Sequence, residues 1–222
     1  IGASLSSERD LGRLLEKIIV AAKTITHADG GTLYLVSDDR RFLRFEIVRT
    51  DSLKIAFGGT SGNPVSGIFP DLPLYRDDGE PNHAMIAAHA AVTGKTVNIA
   101  DAYVARGFDF SGTRKFDERT GYRSKSFLTV PMRDHEGEVI GVLQLINATM
   151  PPHNVVVPFS EADQRLAESL ASQAPIALTN RQLLRQLEVL FESFIQLINS
   201  AIDDKSPYTG EHCQRVPELT MM

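Results

Sequence analysis

The 222-residue chain is 42% hydrophobic and 23% charged, the balance of a globular protein with one sizeable core or two small ones. Its 23 basic and 28 acidic residues leave a net charge of -5, which excludes the basic stripe needed to grip nucleic acid. No apolar run approaches the ~18 residues of a membrane span, and the lone Cys213 excludes a disulfide framework and fits a reducing, cytoplasmic compartment.

The opening IGASLSSERD has no starting Met and no leader pattern, so it is read as a cut inside a longer protein. Leu11, Leu14, Leu15, Ile18, Ile19, Ala22 and Ile25 recur at helical spacing, which predicts a first helix capped at Ser7 with Asp10 three residues on. ADGG at 28–31 is expected to stop it. TLYLVSDD and RFLRFEIVRT alternate apolar and polar residues around a turn at Asp38-Asp39-Arg40, an antiparallel pair. The Gly- and Pro-rich stretch 58–82 predicts a long loop. AMIAAHAAVTG at 84–94 reads as a short helix ending on Gly94, and KTVNIAD as a strand. Residues 102–124 show little periodicity and are expected to be irregular. SFLTVPMRD and EVIGVLQLINA read as strands joined by the hairpin signal HEGE. A loop, TMPPHNVVVP, then leads to a helix capped at Ser160 with Asp163 three residues later. This order predicts an α+β domain with one antiparallel sheet flanked by helices.

From Leu166 a 3.5-residue repeat runs through Leu170, Gln173, Ala177, Asn180, Leu184, Leu187, Phe191, Phe194, Ile198 and Ala201. It predicts a long C-terminal coiled-coil helix and a homodimer, with the strong half of the stripe from Leu184. The alternative is an amphipathic helix buried on its own domain. Pro175 lies in the repeat and predicts a kink or loosening over 171–175. The boundaries expected are a domain at 1–182, a linker helix at 183–204 and a further piece at 205–222.

Most candidate chemistries fail on spacing. The six His residues (27, 83, 89, 135, 153 and 212) show no HExxH-like pattern. FGGTSG lacks the Lys of a phosphate-binding loop, and no Gly-x-Ser-x-Gly element is present. One constellation survives, spread over AMIAAHAAVTGKTVNIADAY (84–103), KFDERTGYRSKSFLTVPM (115–132), EVIGVLQLINA (138–148) and FSEAD (159–163).

These motifs, in this order, resemble a GAF domain over about residues 5–182, and most of all the GAF domains of cyclic-nucleotide phosphodiesterases. The resemblance implies a sensory domain whose sheet, helices and loops enclose a small-molecule effector, often a cyclic nucleotide. Carried onto this sequence, it implies ligand contacts from Asp117, Thr120 and Ser124 above the pocket and from Thr32 and Gln144 on strands beneath. A buried cyclic nucleotide also needs donors for its phosphate and a surface for its base. Helix-start amides at 85–88, those of Ile86 and Ala87 among them, suit the phosphate, and Phe108 or Phe116 suits the base. The bland alternative makes Thr120 and Ser124 ordinary turn hydroxyls and Asp117 a loop carboxylate paired to Arg119 or Arg123. The chain departs from the family pattern in two ways. Asn147, Phe159 and Asp163 match the signature, but its Lys position is Ala148. Larger side chains stand at Met85 and Ala88 where members often carry Gly. Bilin attachment and methionine-sulfoxide reduction need Cys residues that are missing before Cys213.

The tail AIDDKSPYTGEHCQRV (201–216) resembles the opening of an HD-GYP domain, a metal-dependent phosphohydrolase of cyclic di-GMP. Ala201, Ile202, Lys205, Pro207, Tyr208, Thr209, His212, Arg215 and Val216 fit its pattern. There the His is a metal ligand or near-ligand, but one His cannot hold a catalytic metal. No catalytic residue, metal site or resident cofactor is therefore expected in these 222 residues. The divalent metal would belong to the rest of the HD-GYP domain. The expectation is a dimeric sensory module regulating a C-terminal phosphodiesterase, the alternative being a ligand-free interaction module.

Overall fold

A computed structural model describes the backbone of residues 2–205 and the side chains of 12–173, 175 and 186–200. The tail pattern from Pro207 through His212 to Val216, and Cys213 with it, lies outside the described residues.

Helix α1 (Gly2–Thr26) begins five residues before the expected cap, so Ser7 and Asp10 lie inside it. Leu15, Ile18, Ile19 and Ala22 form its buried face. The helix stops at Thr26 and a strand starts at once, because His27 takes a positive φ of 52°. ADGG is thus not a stop but the first half of β1 (Ala28–Val36). Gly31 lets α1 sit close there, since a Cβ would stand 3.0 Å from the Ile19 side chain.

Strand β2 (Phe42–Thr50) returns antiparallel to β1 through the expected turn, where Ser37 N–H donates to the Phe42 carbonyl and Arg40 takes a φ of 56°. Short strands β3 (Ile55–Phe57) and β4 (Leu72–Pro73) both add to β2, so the predicted long loop is tied down where it begins and again at 72–73 within it. Gly58 has a φ of 72°, and a Cβ there would collide with the Glu46 carbonyl. Helix α2 (Ile86–Thr93) ends on Gly94 at a φ of 62°, as its sequence predicts. After β5 (Val97–Ile99) the chain forms a helix, α3 (Ser111–Thr120), inside the segment expected to be irregular. Strands β6 (Phe127–Arg133) and β7 (Val139–Met150) follow as the predicted hairpin, whose turn is pinned by Asp134 accepting from the Glu136 and Glu138 amides. Strand β8 (Val155–Val157) pairs with β7 where a loop was expected; three β-branched residues suffice to extend the sheet.

The antiparallel sheet runs β3-β2-β1-β7-β6-β5. On one face α1 packs on β1 and β7, and α4 (Glu161–Ala171) packs on α1 and β6. On the other face α2 lies over β6 and β7. Four buried alanines, Ala87, Ala88, Ala90 and Ala91, let α2 sit close on Tyr34, Leu43 and Val142. Helix α4 starts with the predicted reciprocal cap: Ser160 Oγ accepts from the Asp163 amide, and the Asp163 carboxylate accepts from the Ser160 amide.

Helix α5 (Gln173–Lys205) is separated from α4 by a turn at Ser172. Pro175 has no N–H to donate to the Ala171 carbonyl, so the helical ladder breaks at the place the proline predicts. The chain divides into compact units at 1–177 and 178–222. In the second, Leu187, Leu190, Phe191, Phe194, Leu197 and Ile198 are exposed. No helix among the described residues is long and apolar enough to cross a membrane.

Candidate functional site

The face of the sheet under α2 carries a polar row. Side chains alternate along β1, so Thr32 and Tyr34 point to the α2 side while Gly31 and Leu33 point to α1. Thr32 faces Gln144 across the β1–β7 ladder, and Gln144 faces Thr129 across β6–β7. All three are buried. Gln144 Nε2 donates to Thr129 Oγ1 at 3.1 Å, and the Tyr34 hydroxyl donates to Gln144 Oε1 at 3.1 Å. These bonds use one of the two amide hydrogens and one of the two carbonyl lone pairs of Gln144. Burial pushes the Tyr34 hydroxyl well above the usual tyrosine range, so it stays a donor. Sequence reasoning named Thr32 and Gln144 but missed Tyr34 and Thr129. The signal was a hydroxyl inside each apolar strand, in TLYLV and FLTVP.

Above the row, α2 begins at Ile86 and Ala87, both buried, and no side chain caps its start at Met85. Phe108 packs its ring edge-on to His89 of α2 at 5.3 Å, beside the cluster of Ile86, Ala102, Phe110 and Phe127. Burial, with His83 and Lys95 adding to it, holds the half-buried His89 below the usual imidazole range. Phe116 packs instead against Tyr122 at 6.4 Å.

Of the expected contacts Asp117, Thr120 and Ser124, the structure brings two together. Asp117 and Ser124 meet: the carboxylate accepts from Ser124 N at 2.8 Å, Ser124 Oγ at 2.8 Å and the Tyr103 hydroxyl at 2.6 Å. That hydrogen bond to Asp117 raises the Tyr103 hydroxyl above its usual range. Tyr103 in turn lies under the Arg123 guanidinium, 4.3 Å from its ring centre. Asp117 is therefore neither paired to Arg119 nor free, but the one buried side chain of α3. Thr120 lies apart from these two. It is exposed in the last turn of α3, where its hydroxyl donates to the Phe116 carbonyl and accepts from the Tyr122 amide. Within helix 111–120 it falls on the exposed side, and its hydroxyl is taken up by the i−4 carbonyl. Asn147 of β7, at a φ of 57°, accepts from the Lys125 and Ser126 amides and donates to the Arg123 carbonyl, which fixes the strand entry below α3.

An open cleft of about 840 Å3 lies elsewhere, lined by Lys23, His27, Asp29, Asp51, Tyr122 and Asn147 among others. It holds none of the expected contact residues. Three of its charged side chains are already engaged: Lys23 pairs with Asp51 at 2.6 Å, and Asp29 accepts from the Ser52 and Tyr122 hydroxyls. The polar row under α2 is the better candidate among the described residues, because it places buried polar groups on the sheet face covered by a helix whose start has no side-chain cap.

A family model described as GAF domain matches residues 10–178. The cGMP-specific 3',5'-cyclic phosphodiesterase of Drosophila mojavensis is 29% identical over 184 residues, which cover 81% of this chain and 15% of the relative. That of Drosophila melanogaster is 28% identical over the same length and shares. The chain thus spans about 15% of the length of these curated relatives. The GAF domain/HD domain protein from Geobacter sulfurreducens superposes with a TM-score of 0.53 at 18% identity, covering 81% of this chain and 98% of that one. A methyl-accepting chemotaxis protein, residues 122 to 287, gives 0.55 at 19%, covering 82% and 96%. These likenesses show a shared fold.

Proposed function

Because this chain belongs to the GAF domain family, we propose that it is a sensory module whose effector lies between the start of α2 and the polar row of the sheet. The observation that carries this reading is the Thr32–Gln144–Thr129 row with its partly unused amide. A cyclic nucleotide is the first candidate, and the names of the Drosophila relatives support it. Its phosphate would meet the Ile86 and Ala87 amides, where the helix dipole favours an anion. Gln144 and Thr32 would bond the base edge, and Phe108 would cover its face. Asp117 and Ser124 would act as the latch that holds α3 above the site. Thr120 and Phe116 stand outside that first layer of contacts.

The tail pattern ending at Val216, with the Geobacter GAF/HD likeness beside it, supports a regulated C-terminal phosphohydrolase of the HD-GYP type acting on cyclic di-GMP. The apolar side chains of α5 would pair two copies and carry the signal to it. Thermal unfolding with cyclic GMP and cyclic AMP tests the ligand. A ligand at 100 times its Kd adds about 2.7 kcal/mol, a rise of several degrees in Tm. The rise is expected with one of the two nucleotides, to vanish in Gln144→Leu measured against its own ligand-free baseline, and to persist in Thr120→Ala. No rise with either nucleotide would falsify the cyclic-nucleotide reading.

A second reading, a ligand-free dimerisation module, is favoured by one feature. Asp117, Ser124 and Tyr103 satisfy one another, and Thr32 and Gln144 are only 6% and 7% exposed. It predicts an intact dimer with no small molecule released on denaturation, as read by mass spectrometry.

A further inference from the structure

The geometry points to a binding site for a divalent d-block cation, such as Zn2+, Ni2+ or Cu2+, chelated by His83 Nδ1 and His89 Nδ1. The two nitrogens are 3.1 Å apart and the ring centroids 5.0 Å apart, with the ring planes at 64°. An ion about 2.05 Å from each nitrogen would see them at an angle of about 98°, between the square-planar and tetrahedral values. Along those lone-pair directions the ring centres would stand about 4.8 Å apart, close to the observed spacing.

The backbone that carries both rings is fixed before any ion arrives. His83 sits on a pinned bend: its amide donates to the Pro81 carbonyl, and Asn82, itself buried, donates to the Pro73 carbonyl and accepts from the Ala84 amide. The Ala84 carbonyl accepts from the Asp109 amide, so the bend is tied to the chain before α3. His89 is fixed by α2 and by the edge-on ring of Phe108. Imidazole pairs favour zinc, copper and nickel over magnesium or calcium, which prefer oxygen ligands. Among the described residues no group of three or more His, Cys, Asp and Glu converges on a metal position, so the site proposed is a two-imidazole chelate whose remaining positions would be open to water. The site joins the loop before α2 to the helix itself, and an ion there would stiffen that junction. It does not depend on the cyclic-nucleotide reading.

The test is calorimetric titration of the untagged chain with NiCl2 and with ZnCl2, beside His83→Gln, His89→Gln and the control His135→Gln. Circular dichroism verifies that each variant is folded. Loss of one imidazole from the pair is expected to weaken the tightest uptake at least tenfold in either of the first two variants, with His135→Gln unchanged. Uptake indifferent to both substitutions, or no uptake by the parent chain at millimolar ion, overturns the proposal and leaves a hydrogen-bonded imidazole pair.

Discussion

Asp117 shows how one side chain can organise a segment whose composition argues for solvent. Lys115, Glu118 and Arg119 around it are exposed, while its carboxylate takes three hydrogen bonds in a buried site. Bonds to a charged acceptor contribute about 1.5–3 kcal/mol, and leaving a buried donor such as that of Ser124 without a partner costs about 1–3 kcal/mol. Asp117→Asn is expected to lower stability by about 2 kcal/mol and Asp117→Ala by about 3 kcal/mol in urea unfolding. Thr120→Ala should stay within about 0.5 kcal/mol, because its hydroxyl bonds only its own exposed turn. Equal, small effects at both positions would remove the latch from Asp117. The sequence marks Asp117 as a candidate but cannot separate a ligand contact from an internal clasp. That difference rests on where Tyr103 and Ser124 lie.

At the scale of elements, α3 and α5 sit at opposite ends of legibility. Helix α3 has no apolar stripe, and its periodicity is lost among charges. Its ends are nevertheless written locally, in Asp109 accepting from the Ser111 amide and in Gly121 at a φ of 71°. Helix α5 reads at once from its repeat. The structure adds Leu190 and Leu197, both exposed, to the repeat positions Leu187, Phe191, Phe194 and Ile198. That band is wider than a two-stranded seam requires, which favours an extensive helix–helix contact. Phe191→Asp with Ile198→Asp is expected to convert a dimer to a monomer in sedimentation, as should truncation after Leu183. A dimer that survives both changes would have to be held by residues 1–183.

At the scale of the whole domain, a clamp centred on Glu16 joins α1 to β2 and to the loop after β3. Glu16 accepts from Arg49, 2.6 Å away, and from the Thr60 amide, while Arg49 also donates to the Gly58 carbonyl. Burial opposes ionisation of Glu16, yet the bonds from Arg49 and Thr60 together hold its carboxyl below the usual 4.5. A lowered folded-state value gives stability that is full above about pH 5 and lost as pH falls through that value. Glu16→Gln should therefore unfold roughly 2–4 °C earlier at pH 7, and the gap should close as the pH drops below 4.5. A gap that is constant with pH would mean that packing, not charge, makes the clamp. The sequence by itself determined the strand alternation, the hairpins, the caps at Ser160 and Gly94 and the break at Pro175, because each is fixed by residues a few positions apart. It also carried the family motifs. Only the tertiary structure decided that Thr32, Gln144 and Thr129 form one row, that Asp117 closes on Tyr103 and Ser124, and that His83 meets His89. Those pairings depend on sheet register and on how α2 and α3 pack, which bring together side chains that no local spacing relates.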